Sequence, residues 1–392
     1  ETKFDEEAYK QSVSLSRFRT TEDESEVKDE PLQDDASLTR IRADYQRITD
    51  ELLRTKRQLR EVTRELNTHD DLRNTLFSHI GGDLDRISWL TPSKTEDESN
   101  HIVPVLFTSD FQFGEVVDYQ EMDGINEYNK DIAKERYMRL VNKTIEISFD
   151  YTVNPKYNGI VYLRGGDAIS GDIHQELRET NDLQAIPSVR EVVALEREGI
   201  ELLANKFGRV AVFSVPGNHG RNLPKPVAKK YLDTNYESLI AWWLEDVFRD
   251  DDRITFVTPR SGDAYFSIYN TRFLLTHGDR IGTRGGQGFV GPAAPILRGI
   301  HKIRKQYAQI GKPVDYVLHG HYHTTFEPPF GISNGSLVGF NEFARTAMRA
   351  EPEPPQQTLF YVHPKYGVES IRHIQCVESE DELMDDAWIK WR

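Results

Sequence analysis

The stretch VLHGHYHTT, Val317 to Thr325, carries three histidines within five positions, with a glycine between the first two. The overlapping run VDYVL is apolar and β-branched, which is typical of a buried strand that ends in a loop at the glycine. In open α/β sheets, ligands bind at that end of the strands. Imidazoles at i and i+2 can reach one metal ion, so His321 and His323 are candidate ligands. The alternative is that the histidines line the solvated face of an edge strand.

The composition limits which side chains could hold a metal. The chain has 392 residues, 38% of them hydrophobic, which is enough for a substantial buried core. Its single cysteine, Cys376, excludes an internal disulfide framework and a thiolate cluster, so His, Asp, Glu, Asn or Gln must supply the ligands. With no signal peptide and no apolar run of transmembrane length, we expect a cytoplasmic protein without a membrane partner.

The charge distribution bears on the partners of the protein. A net charge of −15 disfavours a protein that coats nucleic acid, but it is compatible with a local basic groove. Much of the excess lies near the ends, since residues 1–35 contain twelve acidic and five basic residues and ESEDELMDD adds an acidic run at 378–386. We predict a flexible acidic arm at 1–35 and an acidic C-terminal tail.

Residues 36–66 carry apolar side chains at alternating spacings of three and four, broken only at Thr55. This pattern predicts a long helix with a narrow apolar seam, typical of a two-stranded coiled coil, so we expect a homodimer. The alternative is that the seam packs against the body of its own chain. The polar stretch TPSKTEDESN then closes a coiled-coil and linker segment at 36–100. The seam residues are Leu38, Ile41, Tyr45, Ile48, Leu52, Leu59, Val62 and Leu66.

Residues 101–392 are predicted to form one α/β domain, because strand patterns alternate with helical ones from His101 onward. The segments IVPVLFTSD, GIVYLRGGD and RVAVFSVPGNHG read as strands that alternate with helices. We expect ITFVTP, AYFSIYN and TRFLLTHGD to form a second, partly antiparallel set of strands. A helix in PILRGIHKIRKQYAQIG precedes the histidine stretch, and QQTLFYVHP with VESIRHIQCV predicts two closing antiparallel strands.

Five apolar strands end in polar clusters of one chemical type, and strand ends that meet at one rim bring their side chains together. The clusters are SDFQ at 109–112, GGD at 165–167, GNH at 217–219, THGD at 276–279 and GHYH at 320–323. The set resembles the calcineurin-like metallophosphoesterases, whose signature is D-x-H, G-D, G-N-H-[DE], a lone His and G-H-x-H. The resemblance covers about residues 101–345, including SNGS at 333–336.

This resemblance implies a four-layer α/β sandwich of two mixed sheets flanked by helices, with a two-metal site at the rim. Two divalent ions roughly 3.5–4 Å apart clamp the phosphoryl oxygens and lower the pKa of a bound water. By the resemblance, His219 would lie beside the metals and protonate the leaving alkoxide. The implied ligands are Asp110, Gln112 and His323 for the first metal, Asn218, His277 and His321 for the second, and Asp167 as the bridge.

The sequence departs from the family signature in three motifs. Gln112 replaces a histidine, and the harder, weaker donor set favours Mn²⁺ or Mg²⁺ over Zn²⁺. We therefore expect two divalent ions, Mn²⁺ first, with Mg²⁺, Zn²⁺ and Fe²⁺ as alternatives. The second motif has Ser170 in place of an acid, and the third has Gly220. We expect an altered but working site, the alternative being a degenerate one that retains metal poorly.

Some nearby residues have no role in the signature. Asp172 and His174 follow the second motif without an assignable function, and His319 is expected to be a structural residue at a strand end. Basic residues adjoin the motifs repeatedly, which in an acidic protein favours a focused groove for a polyanion over a set of solvated loop charges. The proposed substrate-binding residues are Arg221, Arg280, Arg298, Lys302 and Lys305, with Lys225, Lys229, Lys230 and Arg284 nearby.

These observations favour a metal-dependent phosphodiesterase that acts on nucleic acid, hence a nuclease. One alternative is hydrolysis of a small phosphodiester or phosphomonoester such as a cyclic nucleotide. A second alternative is a non-catalytic assembly or nucleic-acid-tethering protein, in which the coiled coil matters and the sheet is a binding platform.

Overall fold

The computed structural model describes residues 87–91, 101–223, 225–281 and 293–377, which belong to the unit Gly81–Arg392. Four predictions concern residues outside these ranges. They are the flexible arm at 1–35, the coiled coil at 36–66, the basic residue Arg284 and the acidic run at 378–386. The predictions for those segments therefore stay predictions.

The described residues contain ten strands and five α-helices. The strands are β1 (Val103–Thr108), β2 (Ile160–Arg164), β3 (Val210–Ser214), β4 (Ile254–Val257), β5 (Ala264–Ile268), β6 (Thr271–Leu275), β7 (Tyr316–His319), β8 (Gly331–Ser333), β9 (Gln356–His363) and β10 (Gly367–Gln375). The helices are α1 (Lys130–Phe149), α2 (Gln175–Thr180), α3 (Ala185–Phe207), α4 (Tyr236–Val247) and α5 (Ala293–Gln309). A 3₁₀ turn at Ser88–Leu90 and a π-helix at Phe343–Met348 complete them.

The strands form two mixed sheets, as the resemblance implied. The first has the order β10-β9-β1-β2-β3-β4 and the second the order β5-β6-β7-β8. In the first sheet β1 to β4 are mutually parallel, while β9 and β10 close it as the predicted antiparallel pair. In the second sheet β5 and β6 are antiparallel, and β6, β7 and β8 are parallel.

One strand assignment from the sequence was wrong. The segment ITFVTP was expected in the second set of strands, but β4 pairs parallel with β3 at the edge of the first sheet, with Val210 opposite Ile254. Helix α4 lies between β3 and β4 in the chain and supplies the crossover that a parallel pair needs. Alternation along a strand identifies the strand but not the sheet that it joins.

Three groups of buried apolar residues separate four layers. The largest lies between α1, α3 and the first sheet and includes Tyr137 and Ile200. The second fills the space between the sheets, where Phe107 of β1 and Phe273 of β6 belong to one cluster. The third joins the second sheet to α5 through Val317 and Ile300. The layers are therefore helices, sheet, sheet and helix.

Local sequence explains where the helices near the rim begin. Asn129 caps α1 by accepting hydrogen bonds from the amides of Asp131 and Ile132. Asn235 caps α4 in the same way through the amide of Glu237, as asparagine does at many helix N-termini. Within the described ranges, no helix combines the length and apolar character needed to cross a membrane.

Candidate metal centre

The turns after the strands lie against one another at a single rim. The amide of Asp110 donates to Gly166 O at 2.9 Å, and the amide of Gln112 donates to Asp167 O at 2.8 Å. In the second sheet the amide of Gly320 donates to His277 O at 2.8 Å. These backbone bonds fix the turns of the first and second motifs, and of the fourth and fifth, in a common register.

Several expected ligands have a left-handed backbone, which non-glycine residues rarely adopt. The φ angles are +51° at Asp110, +46° at Gln112, +55° at Asp167, +72° at His321 and +54° at His323. Each such residue costs on the order of 1–3 kcal/mol unless the surroundings enforce it. Residues in strained backbone conformations cluster at functional sites, so these angles are consistent with a candidate site at the rim.

Three acceptor atoms meet at Asp167. His277 Nδ1 lies 2.9 Å from Gly165 O, to which it donates, so in the neutral ring Nε2 carries the lone pair. Nε2 lies 3.0 Å from Asp167 Oδ2 and 3.1 Å from Asn218 Oδ1. An imidazole nitrogen, a carboxylate oxygen and an amide oxygen with no proton between them fit a bound cation.

Without a cation, the same contacts bring a proton to the ring. Burial acts to lower the pKa of His277, but the neighbouring Asp167 carboxylate holds it well above its ordinary value. Burial likewise acts to raise the pKa of Asp167, while His277 and His219 hold it well below its usual range. The site therefore favours positive charge at this point.

His321 completes this half of the site. Ligand atoms of Asp167, His277 and His321 all lie within 4.8 Å of one another. Burial, and next the positive charge of His277, lower the pKa of His321 to about 4. Its imidazole is thus neutral near pH 7, the form that binds a metal.

Asp110, Gln112 and His323 form the second half of the site. His323 Nε2 lies 3.4 Å from Asp110 Oδ1 and 3.2 Å from the Gln112 amide nitrogen. Both Asp110 oxygens also accept the amide of His321 at 3.0 Å, which ties the two halves together. A half-turn of the Gln112 amide would bring its oxygen to the same point, so glutamine can serve there as an oxygen donor.

Close packing at the rim requires glycine at Gly166. A Cβ on this residue would lie 2.6 Å from Gly217 N and 2.7 Å from His277 Nδ1, and its φ is +93°. The close approach brings Asp167 and Asn218 to the same point, because the two strand-end turns touch there.

His219 lies beside these groups. Its amide donates to Asp167 Oδ1 at 2.8 Å, and its Nδ1 lies 2.8 Å from Ser170 O. Its Nε2 is 4.0 Å from Asp167 Oδ2, and the side chain is 15% exposed. The backbone carbonyl of Ser170 therefore orients the His219 ring. Ser170 is the position at which the second motif lacks an acid. The other ring nitrogen, Nε2, is on the side of Asp167.

The sequence left His174 and Asp172 unassigned, and the structure places His174 beside His219. The ring of His174 lies 5.4 Å from that of His219, and burial followed by the charge of His219 lowers the pKa of His174. A buried oxygen of Asp172 has no hydrogen-bond partner among the described residues. The family signature has no residue that corresponds to His174. Its place beside His219 is set by the path of the loop before α2, which the sequence does not predict.

Glu237 is a buried acid that sequence reasoning missed. It lies on α4 and is 2% exposed, and its two oxygens accept the amides of Ala168 and Gly217 at 3.0 and 2.8 Å. Burial, and next the Asp167 charge, raise the pKa of Glu237 to about 8. Cations bound to Asp167 would oppose this shift, because nearby positive charge favours an ionised carboxyl group.

The expected substrate-binding residues divide into two groups. Arg221 and Arg280 are engaged within the protein: Arg221 Nε donates to Asn218 O at 2.9 Å, and Arg280 donates to Val227 O and stacks on Tyr231 with 3.6 Å to the ring centre. Arg298, Lys302 and Lys305 lie on one exposed face of α5. Lys225, Lys229 and Lys230 lie exposed in the loop after the third motif.

His319 and Cys376 are buried, and neither belongs to the expected ligand set. Burial lowers the pKa of His319 to about 4, and its Nδ1 lies 3.0 Å from Gly320 O, in keeping with the structural role expected for it. Burial raises the pKa of the Cys376 thiol to about 12. The candidate ligands described here are therefore nitrogen and oxygen donors.

Comparison with known proteins gives distant likenesses. No protein-family model matches the chain. It is 21% identical over 285 residues to the SPbeta prophage-derived uncharacterized protein YonJ of Bacillus subtilis strain 168, a match that covers 70% of this chain and 64% of YonJ. The chain thus spans less than two thirds of this curated relative.

Two of the similar solved structures are described as phosphatases or phosphoesterases. A dimetal phosphatase of Danio rerio is 13% identical with a TM-score of 0.34, covering 71% of this chain and 98% of that one. The calcineurin-like phosphoesterase YfkN of Bacillus subtilis is 10% identical with a TM-score of 0.30, covering 71% and 91%. Scores of this size establish no common fold by themselves, and the case for a metal centre rests on the residues above.

Proposed function

We propose that this protein is a two-metal phosphoesterase that hydrolyses phosphodiester bonds, with nucleic acid as its substrate. The observation that carries the proposal is that both Asp167 Oδ2 and Asn218 Oδ1 lie within 3.1 Å of His277 Nε2. Three acceptors turned toward one another are unfavourable unless a proton or a cation lies among them. Asp110 and His323, at 3.4 Å, support a second cation beside the first.

The residues of this chain have separate tasks in that reaction. Asp167, with two oxygens, would hold both cations, and Asn218 would add a neutral oxygen that preserves their positive charge. His219, oriented by Ser170 O, donates a proton from Nε2 to the leaving oxygen. When bound, the two ions would supply Lewis-acid activation of the phosphoryl group and of the attacking water.

The substrate class is inferred from the exposed basic face of α5. Arg298, Lys302 and Lys305 recur at helical spacing on that face, and clustered cations attract a polyanion even when the whole protein is acidic. Arg221 supports the same substrate class, because it adjoins Asn218 at the rim. Manganese is the proposed metal, since the donors are imidazole, carboxylate and amide groups.

The test is a hydrolysis assay of the purified chain with and without Mn²⁺. The substrates are single- and double-stranded DNA, RNA, a cyclic nucleotide, a chromogenic phosphodiester and a chromogenic phosphomonoester. We expect Mn²⁺-dependent cleavage of the chromogenic diester and of one or more nucleic acids. Cleavage of the monoester alone would instead identify a phosphatase, and Mn²⁺ binding without turnover of any substrate would support a degenerate binding platform.

A matched pair of variants tests the substrate class. Replacing Arg298, Lys302 and Lys305 with glutamine should weaken binding of long nucleic acid and flatten its salt dependence, because fewer counterions are released. Turnover of the small chromogenic diester should be unchanged. Equal losses on both substrates would exclude a polyanion groove on α5.

A further inference from the structure

The third motif has glycine where the family signature has an acid, and the structure contains a physical reason for it. A Cβ on Gly220 would lie 2.4 Å from Asn235 Oδ1 and 2.7 Å from Glu237 Cγ. The space next to the motif is therefore occupied by the first turn of α4. An acid at Gly220 would have to displace those two side chains.

Glu237 occupies that space as an acid. Its carboxylate accepts the amide of Ala168, the residue after Asp167, at 3.0 Å and the amide of Gly217, the residue before Asn218, at 2.8 Å. One buried side chain thus joins the turns of two expected metal ligands. Because each oxygen already accepts an amide, Glu237 is placed to position the ligands and not to replace them.

The rest of the first turn of α4 supports the same arrangement. Asn235 Nδ2 donates to Gly217 O at 2.7 Å, and Asn235 Oδ1 accepts the amide of Glu237 at 2.9 Å. The amide of Tyr236 donates to Gly220 O at 2.7 Å. The start of α4 and the third motif therefore form one hydrogen-bonded unit.

We infer that Glu237 supplies, from helix α4, the acid that the third motif lacks at Gly220, and that it is the positioning residue that sets the distance between Asp167 and Asn218. The inference rests on the proposed function, since the distance matters only if these two residues bind the same cations. Removing an outer partner of a metal ligand commonly weakens metal affinity about 10–100-fold.

The first test is metal binding, measured by calorimetry and by the electron paramagnetic resonance spectrum of Mn²⁺. Glu237→Gln keeps the size of the side chain but turns a donor toward one of the two amides, so we expect Mn²⁺ affinity to fall at least about tenfold. The matched control is Glu245→Gln, two turns further along α4, which should bind Mn²⁺ as the parent does.

The second test moves the acid. In the parent, Gly220→Asp should weaken Mn²⁺ binding, because its side chain collides with Asn235 and Glu237. In a Glu237→Ala background the same substitution should strengthen binding, because only the flexible end of the Asn235 side chain then has to give way and a carboxylate can again reach the amides. Reversal of sign between the two backgrounds is the result expected, and it does not depend on how much either variant loses in stability.

The outcomes separate the two proposals. Parent protein that binds no Mn²⁺ would overturn the proposed function and this inference with it. Parent protein that binds two Mn²⁺, together with Glu237→Gln of equal affinity and an unchanged resonance spectrum, would overturn the role of Glu237 alone. An effect of Gly220→Asp with the same sign in both backgrounds would also overturn it.

Discussion

At the scale of single residues, Asp167 contacts the first, third and fourth motifs of the candidate site. Its backbone oxygen accepts the amide of Gln112 at 2.8 Å, and its carboxylate reaches His219 N at 2.8 Å and His277 Nε2 at 3.0 Å. Its left-handed backbone, φ +55°, directs the carboxylate inward from the end of β2. Asp167 and His219 should therefore respond differently to substitution, since only Asp167 is an expected ligand.

We expect His219→Ala to lower kcat about 10²- to 10⁴-fold while two Mn²⁺ remain bound, because a proton donor can be removed without unloading the ions. Asp167→Ala should lose both the metals and activity. Metal analysis and kinetics on the two variants check this, with His363→Ala, at the opposite end of the first sheet, as the control. Equal metal loss in the first two variants would mean that His219 is itself a ligand.

A substitution at Gln112 is expected to improve metal binding. Its amide lies 3.2 Å from His323 Nε2, so Gln112→His should add an imidazole beside the first metal. We expect metal retention to tighten by about tenfold, or the preference to move toward Zn²⁺. Competition with a chelator measures both. Unchanged retention and preference would place residue 112 outside the ligand set.

At the scale of elements, a buried ion pair fastens the helix layer to the strands beneath the rim. Arg164 of β2 and Glu196 of α3 are each 4% exposed and lie 2.9 Å apart. Arg164 also donates to Ser214 Oγ of β3 at 2.7 Å. The ends of β2 and β3, which lead into the second and third motifs, are thus held by one guanidinium group.

Glu196→Ala should destabilise the protein by about 3–5 kcal/mol, because it leaves the guanidinium of Arg164 buried without its partner. The control is Glu201→Ala on the same helix, whose pair with Arg197 is 56% and 42% exposed and should change stability by less than about 1 kcal/mol. Urea unfolding measures both. Similar losses in the two variants would show that the buried ion pair contributes no more to the free energy of unfolding than the exposed one.

The residue directly after β10 is a natural probe of packing. Cys376 is 1% exposed, and burial raises the pKa of its thiol to about 12. Labelling of the native protein by an aromatic disulfide should therefore stay slow from about pH 7 to pH 9, with no rise near the ordinary thiol pKa of about 8.5. Labelling in concentrated urea gives the exposed rate, and a native rate equal to it would contradict the burial of Cys376.

At the scale of the whole molecule, the predicted homodimer would bring two candidate sites into one assembly. If residues 36–66 pair two chains, Ile48→Glu with Leu52→Glu should convert a dimer to a monomer, since charges are costly in an apolar seam. The control, Gln46→Glu with Arg54→Glu, adds charge between seam positions and should stay dimeric. Light scattering decides, and a monomeric parent protein would end the coiled-coil prediction.

The same pair of variants links assembly to substrate length. The monomer should retain activity on the chromogenic diester, because the candidate ligands all follow Asp110 in the chain. Its activity on long nucleic acid should fall, since two tethered sites raise the effective concentration of the second once the first is bound. Parallel assays on both substrates measure this. Undiminished cleavage of long nucleic acid by the monomer would show that dimerisation is not needed for activity on long substrates.

The strand ends and the candidate donor residues could be predicted from the amino-acid sequence. Each motif is local, a run of apolar residues followed by a turn and a polar side chain, so Asp110, Asp167, His277 and His321 were identifiable without coordinates. Five such ends at one rim also predicted that the side chains would converge. The backbone hydrogen bonds between the motif turns are consistent with that prediction.

The sheet that β4 joins and the position of Glu237 against the third motif could not be predicted from the sequence. Strand pairing and the approach of α4 to Gly220 depend on contacts between residues far apart in the chain, and neither leaves a local pattern of hydrophobicity or spacing. Glu237 reads in the sequence as one more acid near a helix start. Its burial against the amides of Ala168 and Gly217 exists only once the strand ends and α4 have packed together.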